Sequence, residues 1–230
     1  MTAFFRFPHT PHIAWLAPGK PRDDKVLSQG EVAELLAGVV AVEEKLDGAN
    51  LGFSVSDDGL LRAQNRGQYL EPPFQGQFAR FGPWLAAHED RLFGALGSNL
   101  IAFGEWCAAR HSLEYASLPD WWLLFDVYDR AEGRFWSSTR RDLWGRAHGL
   151  LVVPRLHRGP VTLAQLRELV SSGQSRFRQG HLEGVVVRQE NSEWLQSRAK
   201  LVRADFTQSI QTHWRNRALK WNQLEVRVPR

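Results

Sequence analysis

The sequence predicts an α+β fold that is built on antiparallel sheets flanked by helices. Predicted strands cluster along the chain without the regular alternation of strand and helix that is typical of a parallel sheet. The triplet Asp57-Asp58-Gly59 is a turn signal between two alternating segments and predicts a hairpin over residues 49–64. Of the 230 residues, 43% are hydrophobic and 23% are charged, which is typical of a globular chain.

The composition excludes several other classes of protein. The longest apolar stretch, residues 35–42, has eight residues, whereas a membrane span needs roughly 18. The N-terminus lacks the basic and apolar regions of a secretory signal. The single cysteine, Cys107, excludes an internal disulfide and a cysteine-based zinc site. We therefore expect a cytoplasmic protein without membrane association.

The remaining elements follow from caps and periodicity. The proline-rich N-terminus predicts an extended arm. Ser28 and Glu31 have capping-box spacing and predict a short helix through Leu36, followed by a strand over residues 39–43. Residues 74–95 have helical spacing, in which Pro83 forces a break or a second helix start. Further strands are predicted at 99–105, 121–128, 182–189 and 193–203, and helices at 138–148 and 162–171.

Positive charge is concentrated at the C-terminal end of the chain. Residues 198–230 contain eight basic residues against Asp205 and Glu225, a local charge of +6 within a total of +4. A helix from residue 205 would place Phe206, Ile210, Trp214 and Trp221 near one face and leave basic side chains outward. The pattern favours a surface that meets phosphates, and Arg215, Arg217 and Lys220 are the candidate contacts. A solvated basic helix is the alternative.

One segment, residues 43–50, contains several side chains that could take part in catalysis. Lys45 is followed by Asp47, Gly48 and Asn50, between two predicted strands. Lysine becomes a useful nucleophile where a site removes its proton or lowers its pKa. Glycine permits a tight turn or a close approach to phosphate. A solvated turn lysine is the alternative for Lys45 taken alone.

Four later segments accompany this lysine in a fixed order: Phe103-Gly104-Glu105, Leu124-Phe125-Asp126, Leu182-Glu183-Gly184-Val185 and Arg198-Ala199-Lys200. Together they resemble motifs I, III, IIIa, IV and V of the covalent nucleotidyltransferases, which comprise the ATP-dependent polynucleotide ligases and the mRNA capping enzymes. Asn50 and the Phe-Gly-Glu form of motif III make the chain most similar to the RNA ligases. The resemblance implies a nucleotidyltransferase domain over residues 1–204, followed by a short basic helical tail over 205–230.

The resemblance also implies roles for individual residues. Lys45 would form a lysine–AMP bond with ATP, and Glu183 would hold Mg²⁺ or Mn²⁺. Lys200 would contact the α-phosphate, so that these three residues form the implied catalytic set. The implied nucleotide-binding set is Glu44, Lys45, Asp47, Asn50, Arg66, Glu105, Phe125, Glu183, Arg198 and Lys200. Within it, the Glu44 backbone would meet the adenine edge, Glu105 a ribose hydroxyl and Phe125 the purine face, while Asn50 and Arg66 would serve later steps.

Two features depart from the superfamily pattern. Motif V normally has two lysines, and Arg198 replaces the first; its planar fork is not equivalent to an ammonium group. Only 30 residues follow Lys200, too few for the OB-fold domain that DNA ligases and capping enzymes carry. We therefore expect no OB-fold domain and a minimal RNA ligase. Phe125 as a core residue and Glu183 as a salt-bridged acid remain alternatives.

The predicted function is ATP-dependent joining of RNA 3′-hydroxyl and 5′-phosphate ends. Joining of DNA or hybrid nicks is the first alternative, GTP-dependent capping the second, and an inactive adenylate- or RNA-binding relic the third. The expected partners are RNA ends, and an end-healing kinase or phosphatase on another chain is compatible with this function. We expect a monomer.

Overall fold

A computed structural model describes residues 4–19, 25–209 and 219–226. Its helices and strands, together with a 3₁₀ turn at Gly76–Phe78, follow one another in the order α1 (Gln29–Leu35), β1 (Val40–Lys45), β2 (Ala49–Val55), β3 (Leu61–Gln64), α2 (Phe81–Leu96), β4 (Leu100–Trp106), β5 (Trp122–Asp129), β6 (Arg134–Phe135), α3 (Ser138–Ala147), β7 (Arg155–Gly159), α4 (Leu163–Ser172), β8 (Gly184–Glu190), β9 (Leu195–Val202) and α5 (Ala204–Ser209).

The strands form two open antiparallel sheets, which confirms the predicted fold class. One sheet has four strands in the order β7-β1-β8-β9, and the other has five in the order β3-β2-β4-β5-β6. The predicted hairpin is formed by β2 and β3, with Val55 opposite Leu61. Because β1 and β2 follow each other directly but belong to different sheets, residues 46–48 connect the two sheets.

Each sheet has its own apolar core. An aromatic-rich cluster between the five-stranded sheet and α2 includes Phe53, Phe81, Trp84, Trp106 and Trp122. An aliphatic cluster joins the four-stranded sheet to residues of α1 and α4, among them Leu35, Leu166 and Val170. Large aromatic rings bury the most apolar area per residue, so the first cluster makes the five-stranded sheet a rigid support.

The structure corrects several predicted boundaries. β1 runs two residues beyond the predicted end at Glu43, so that Lys45 is the last residue of the strand. Pro83 marks a helix start, because it lies in the first turn of α2, where its missing N–H costs no hydrogen bond. The sequence analysis missed β6 and β7. β6 has only two residues, and β7 is a half-exposed edge strand of sequence Arg-Leu-His-Arg-Gly without clear alternation.

The N-terminal arm, residues 4–19, is extended as predicted and follows the edge of β9. The backbone N–H of Lys200 donates to Pro11 (2.8 Å), and the N–H of Ile13 donates to the Lys200 carbonyl (2.8 Å). Phe7 is buried against Phe103 and Phe135, with ring centroids 4.9 and 5.6 Å away. The arm is therefore bonded to the outer edge of the four-stranded sheet through an isolated bridge between His12 and Lys200.

The basic tail is only partly described. Helix α5 begins it, and Phe206 is buried as predicted. Ile210, Trp214, Arg215 and Arg217 lie outside the described residues. Residues 219–226, which include Trp221, are extended and not helical, and they form isolated bridges to Ala109 and Leu118. Within the described ranges, no helix has the length and apolar character needed to cross a membrane.

Candidate active site

A cavity of about 550 Å³ opens between the two sheets. Strand β1 with β8 and β9 forms one wall, strand β2 with β4 and β5 forms the other, and the N-terminal arm closes one side. The predicted site residues that line it are Glu44, Lys45, Asn50, Arg66, Glu105, Phe125, Arg198 and Lys200. Motifs that are up to 155 residues apart in sequence thus meet at one cavity.

Lys45 and Glu183 are brought together by strand pairing. In the β1–β8 register, Lys45 lies opposite Gly184. The Lys45 ammonium is 2.6 Å from Glu183 Oε1, with side-chain exposures of 27% and 3%. A side chain at Gly184 would not fit, since its Cβ would lie 2.3 Å from the Leu201 carbonyl oxygen of β9. The glycine therefore allows the close strand packing that places the acid beside the lysine.

Several buried carboxylates surround this one ammonium group. Burial alone would lower the pKa of Lys45, but the charges of Glu183 and Glu105 raise it to about 12. Burial raises the pKa of Glu183 to about 8, against the opposing effect of Lys45 and with a contribution from Asp47. Burial likewise raises the pKa of Glu105 to about 7. Burial of the two carboxyl groups and the acidic surroundings of the lysine thus raise the pKa values of Glu183, Glu105 and Lys45 together.

Glu105 is fixed by the turn that follows the lysine. The backbone N–H of Gly48 donates to Glu105 Oε1 at 2.9 Å. A Cβ at position 48 would lie 2.5 Å from the Trp106 carbonyl oxygen, so only glycine permits this approach. The hydrogen bond from Gly48 thereby fixes one carboxylate oxygen of Glu105 at the cavity wall.

Asp47 and Glu183 are the two predicted nucleotide-binding residues that are absent from the cavity lining, and Asp47 is bonded on the far side of the lysine turn. Its carboxylate oxygen Oδ2 accepts the backbone N–H groups of Ser112 and Leu113, both at 2.7 Å. Its own backbone N–H donates to the Tyr115 hydroxyl at 2.8 Å. Asp47 therefore connects the lysine turn to a loop behind the cavity.

Two buried acceptor atoms at the cavity lack partners among the described residues. Glu44 Oε2 accepts the Arg176 N–H at 3.0 Å, but Glu44 Oε1 has no partner. Asn50 Oδ1 is also unpaired. Unpaired buried acceptors are costly, so groups of this kind at a cavity wall indicate a ligand with matching donors.

Phe125 and Arg198 are both anchored by the arm. Phe125 is half-buried at the cavity wall, with its ring 5.3 Å from that of Phe7 in an edge-to-face arrangement. The guanidinium group of Arg198 lies between the rings of Phe7 (4.5 Å) and Phe135 (4.4 Å) and forms an ion pair with Asp126. The charge of Arg198 is thus paired with a protein carboxylate. Lys200, two residues further along β9, lines the cavity on the same strand face.

Two further predicted residues lie at the periphery. Arg66 is exposed and lines the cavity just beyond β3, consistent with a side chain that reaches inward. Lys220, a candidate nucleic-acid contact, is exposed. The other two such candidates, Arg215 and Arg217, lie outside the described residues.

Sequence reasoning missed a buried charge network at the cavity wall, where Glu43, Asp126 and Arg188 line the cavity. Arg141 of α3 makes a two-pronged contact with Glu43 of β1, at 2.5 and 3.2 Å, and donates to the Phe125 carbonyl at 2.5 Å. Arg188 of β8 donates to Asp126 at 2.8 Å. The available signal was a charged residue directly after the apolar run of each of three strands, β1, β5 and β8, which indicates buried pairing.

The residues fit a single hard cation but not a dedicated metal cage. Glu183 Oε2 is buried and unpaired, and carboxylate oxygen is the ligand that Mg²⁺ and Mn²⁺ prefer. In the described part of the chain, no group of three or more His, Cys, Asp or Glu side chains could hold a metal ion. A cation here would therefore need oxygens from phosphate or water in addition to Glu183.

The profile of the RNA ligase family matches residues 38–202. The chain belongs to the RNA ligase family. The matched range contains all five motifs, from Lys45 to Lys200. A comparison with curated proteins finds no match.

Solved structures of ligases share the fold. A variant of Naegleria gruberi RNA ligase with ATP and Mn matches with a TM-score of 0.59 and 18% identity, over 78% of this chain and 54% of that one. An archaeal ATP-dependent RNA ligase matches at 0.58 and 18%, over 89% and 50% of the two chains. A putative ATP-dependent DNA ligase from Aquifex aeolicus matches at 0.55 and 19%, over 88% and 50%.

These similarities establish the nucleotidyltransferase fold of this RNA ligase-family chain. It spans about half the length of each of the three structures, at 50–54%.

Proposed function

We propose that this chain is an ATP-dependent RNA ligase that joins 3′-hydroxyl and 5′-phosphate ends through a lysine–AMP intermediate. The observation that carries the proposal is the ion pair of Lys45 and Glu183 at a cavity that Lys200 also lines. A nucleophile, an acid of raised pKa and a second cation at one cavity are the groups that nucleotidyl transfer needs.

In the first step, Lys45 Nζ attacks the α-phosphorus of ATP. The N–P bond forms, the bond from the α-phosphorus to the β-phosphate oxygen breaks, and pyrophosphate leaves. Attack needs the lone pair of the neutral amine, so the proton that the ion pair holds on Lys45 must be lost as the N–P bond forms. Glu183, 2.6 Å away, is the acceptor within reach. Lys200 would offset negative charge on the α-phosphate as pyrophosphate leaves.

The remaining cavity residues would bind the adenosine. Phe125 and Glu44 both line the cavity; Phe125 would stack on the purine, and the Glu44 backbone would meet the adenine edge. Glu105, held by Gly48, would accept a ribose hydroxyl. The same AMP would then pass to an RNA 5′-phosphate, and the 3′-hydroxyl would displace it, with Asn50 and Arg66 beside the joined ends.

Glu183 would hold a divalent cation, Mg²⁺ or Mn²⁺, through its unpaired oxygen. Such a cation supplies charge neutralisation at the phosphates. Asp47 and Arg198 would support the nucleotide site by positioning other residues, since neither carries a charge that is free to face the cavity.

RNA is the proposed substrate because the family profile is that of RNA ligases. Joining of DNA or hybrid nicks remains the second candidate, since a putative DNA ligase shares the fold. We propose residues 1–204 as the catalytic domain and 205–230 as a basic tail that contacts RNA. An end-healing kinase or phosphatase on another chain would prepare ends that lack the required groups.

Transfer of label from [α-³²P]ATP to the protein tests the proposal. The wild-type protein should become labelled with ATP and not with GTP, and the label should move to 5′-phosphorylated RNA. Lys45→Ala should abolish labelling, because no other nucleophile lies at that position. It should still seal pre-adenylylated RNA, since that step needs no lysine nucleophile.

The matched control is Lys25→Ala, which removes an exposed lysine paired with Glu31 outside the cavity. Undiminished labelling of Lys45→Ala, or no labelling of the wild type, would refute the lysine–AMP mechanism. Sealing of DNA in preference to RNA by the same preparation would instead favour the second candidate.

A further inference from the structure

We propose that the C-terminal strap, residues 219–226, positions the nucleophilic lysine through Asn222 and Tyr115. The inference rests on the proposed function and extends it to two residues outside every motif. The strap would then take part in lysine–AMP formation, a role separate from the RNA contact proposed for the basic side chains of the tail.

The strap is hydrogen-bonded along the support loop, residues 107–118. Backbone bonds join Arg110 N–H to Lys220 (2.8 Å), Asn222 N–H to Ala108 (2.9 Å), Gln223 N–H to Tyr115 (2.9 Å) and Leu118 N–H to Gln223 (3.0 Å). These four backbone hydrogen bonds hold the support loop in one conformation relative to the strap.

Asn222 adds side-chain bonds to the same loop and is only 2% exposed. Its amide group donates to the Cys107 carbonyl at 2.8 Å and lies 3.4 Å from the Ala109 carbonyl. Its carbonyl oxygen accepts the Tyr115 N–H at 2.8 Å. A buried amide with its donor and acceptor both used specifies position, because a shifted loop would leave these groups unpaired.

The support loop in turn holds the lysine turn, residues 46–48. The Tyr115 hydroxyl, on a side chain that is 1% exposed, accepts the Asp47 N–H at 2.8 Å. The Asp47 carboxylate accepts the N–H groups of Ser112 and Leu113 at 2.7 Å. The turn is therefore clamped from behind on both its backbone and its side chain.

This clamp bears on reactivity because the turn begins one residue after Lys45. Attack on phosphorus requires the amine within about 3–3.5 Å and in line with the leaving group, and a shift of about 1 Å can cost 10²-fold in rate. Asn222 and Tyr115 do not line the cavity. They are positioning residues that act through Asp47.

The test is single-turnover self-adenylylation of the full chain with [α-³²P]ATP, at a temperature where every variant is folded. Tyr115→Phe removes only the hydroxyl and should lower the rate constant at saturating ATP by about tenfold. The half-saturating ATP concentration should change by less than about threefold, since the adenosine-binding residues remain. Asn222→Ala should act in the same direction.

Matched controls are available on the same elements. Tyr128→Phe removes a hydroxyl from β5, where the ring stacks on Phe5, and Gln223→Ala trims an exposed strap residue whose contacts are backbone bonds. Both should react at the wild-type rate. The double variant Tyr115→Phe/Asn222→Ala should have the same rate constant as the less active of the two single variants, because the two residues act in one chain of contacts.

Wild-type rate constants in Tyr115→Phe and Asn222→Ala, even with lowered thermal stability, would overturn the inference by showing a purely structural role. A multiplicative loss in the double variant would overturn the route through Tyr115. Amide hydrogen exchange in the peptide 43–50 needs no nucleotide and should be faster in both variants. Unchanged exchange would overturn the inference whether or not the wild type reacts with ATP.

Discussion

At the scale of single residues, the ion pair of Lys45 and Glu183 is an unreactive resting state of the nucleophile. An ammonium group 2.6 Å from a carboxylate cannot attack phosphorus, and the pKa of Lys45, raised to about 12, keeps it protonated at neutral pH. Burial also raises the pKa of the Glu183 carboxyl group, so that its carboxylate accepts a proton more readily than an exposed one does. The pair is thus arranged so that loss of the lysine proton and formation of the N–P bond are coupled.

Glu183→Gln should lower self-adenylylation by roughly 10²-fold or more, because it keeps the shape of the side chain but removes the charge that accepts the proton and attracts a cation. The fold should survive, since Lys45 is 27% exposed and can be hydrated. Labelling rates and thermal unfolding of the same preparation measure both effects. The control is Glu193→Gln, which neutralises an exposed acid. Unchanged labelling of Glu183→Gln would make Glu183 a purely structural acid.

At the scale of elements, the N-terminal arm connects three parts of the cavity. Phe7 contacts the ring of Phe125 and the guanidinium group of Arg198, and the arm pairs with β9 at Lys200. The residues proposed to meet the purine and the phosphate are therefore held by one extended segment. Because aromatic and cation–π contacts each contribute about 0.5–1.5 kcal/mol, the arm binds through several modest interactions that share one ring.

Phe7→Ala should lower the free energy of unfolding by about 3 kcal/mol or more, since it empties a site that is 3% exposed. It should also raise the ATP concentration needed for half-maximal labelling, because Phe125 and Arg198 lose their support. Denaturant titration and labelling at varied ATP measure the two effects.

The control for this substitution is Phe93→Ala on α2, whose ring is 47% exposed. It should change the free energy of unfolding by no more than about 0.5 kcal/mol. If Phe7→Ala binds ATP as the wild type does, the arm stabilises the fold without shaping the site.

At the scale of the whole molecule, the C-terminal region combines two separable features. The backbone of residues 219–226 is bonded to the support loop, whereas the Lys220 side chain is exposed. Charge on the tail and hydrogen bonding by the strap can therefore be removed independently. Removal of the tail charge should weaken RNA binding. Removal of the strap hydrogen bonds should slow the reaction of Lys45 with ATP.

Replacing Arg215, Arg217 and Lys220 together by glutamine should weaken RNA binding and flatten its salt dependence, by about one unit of log–log slope per lost phosphate contact. Self-adenylylation should stay at the wild-type rate, because the Lys220 carbonyl still accepts the Arg110 N–H. Filter binding at several salt concentrations and ATP labelling measure the two activities. Equal loss of both would assign the tail to the fold or the ATP site, and no loss of either would make it a solvated surface.

The sequence by itself determined most of the antiparallel strands, the five motifs and the glycines within them. These features are local: alternation fixes a strand, a capping box fixes α1, and Gly48 and Gly184 accompany their motifs at fixed spacing. The family profile confirms the membership that the motif order predicted.

Only the tertiary structure decided which partner each charged residue has. The family resemblance implied that Asp47 and Arg198 bind the nucleotide, and this remains a prediction; the structure adds that Asp47 bonds to the support loop and that Arg198 pairs with Asp126. Asn222 lies 107 positions from Tyr115, and no periodicity in the sequence relates the two. Strand register, sheet packing and the path of the chain end place such residues side by side, and these depend on contacts between distant segments that local patterns do not encode.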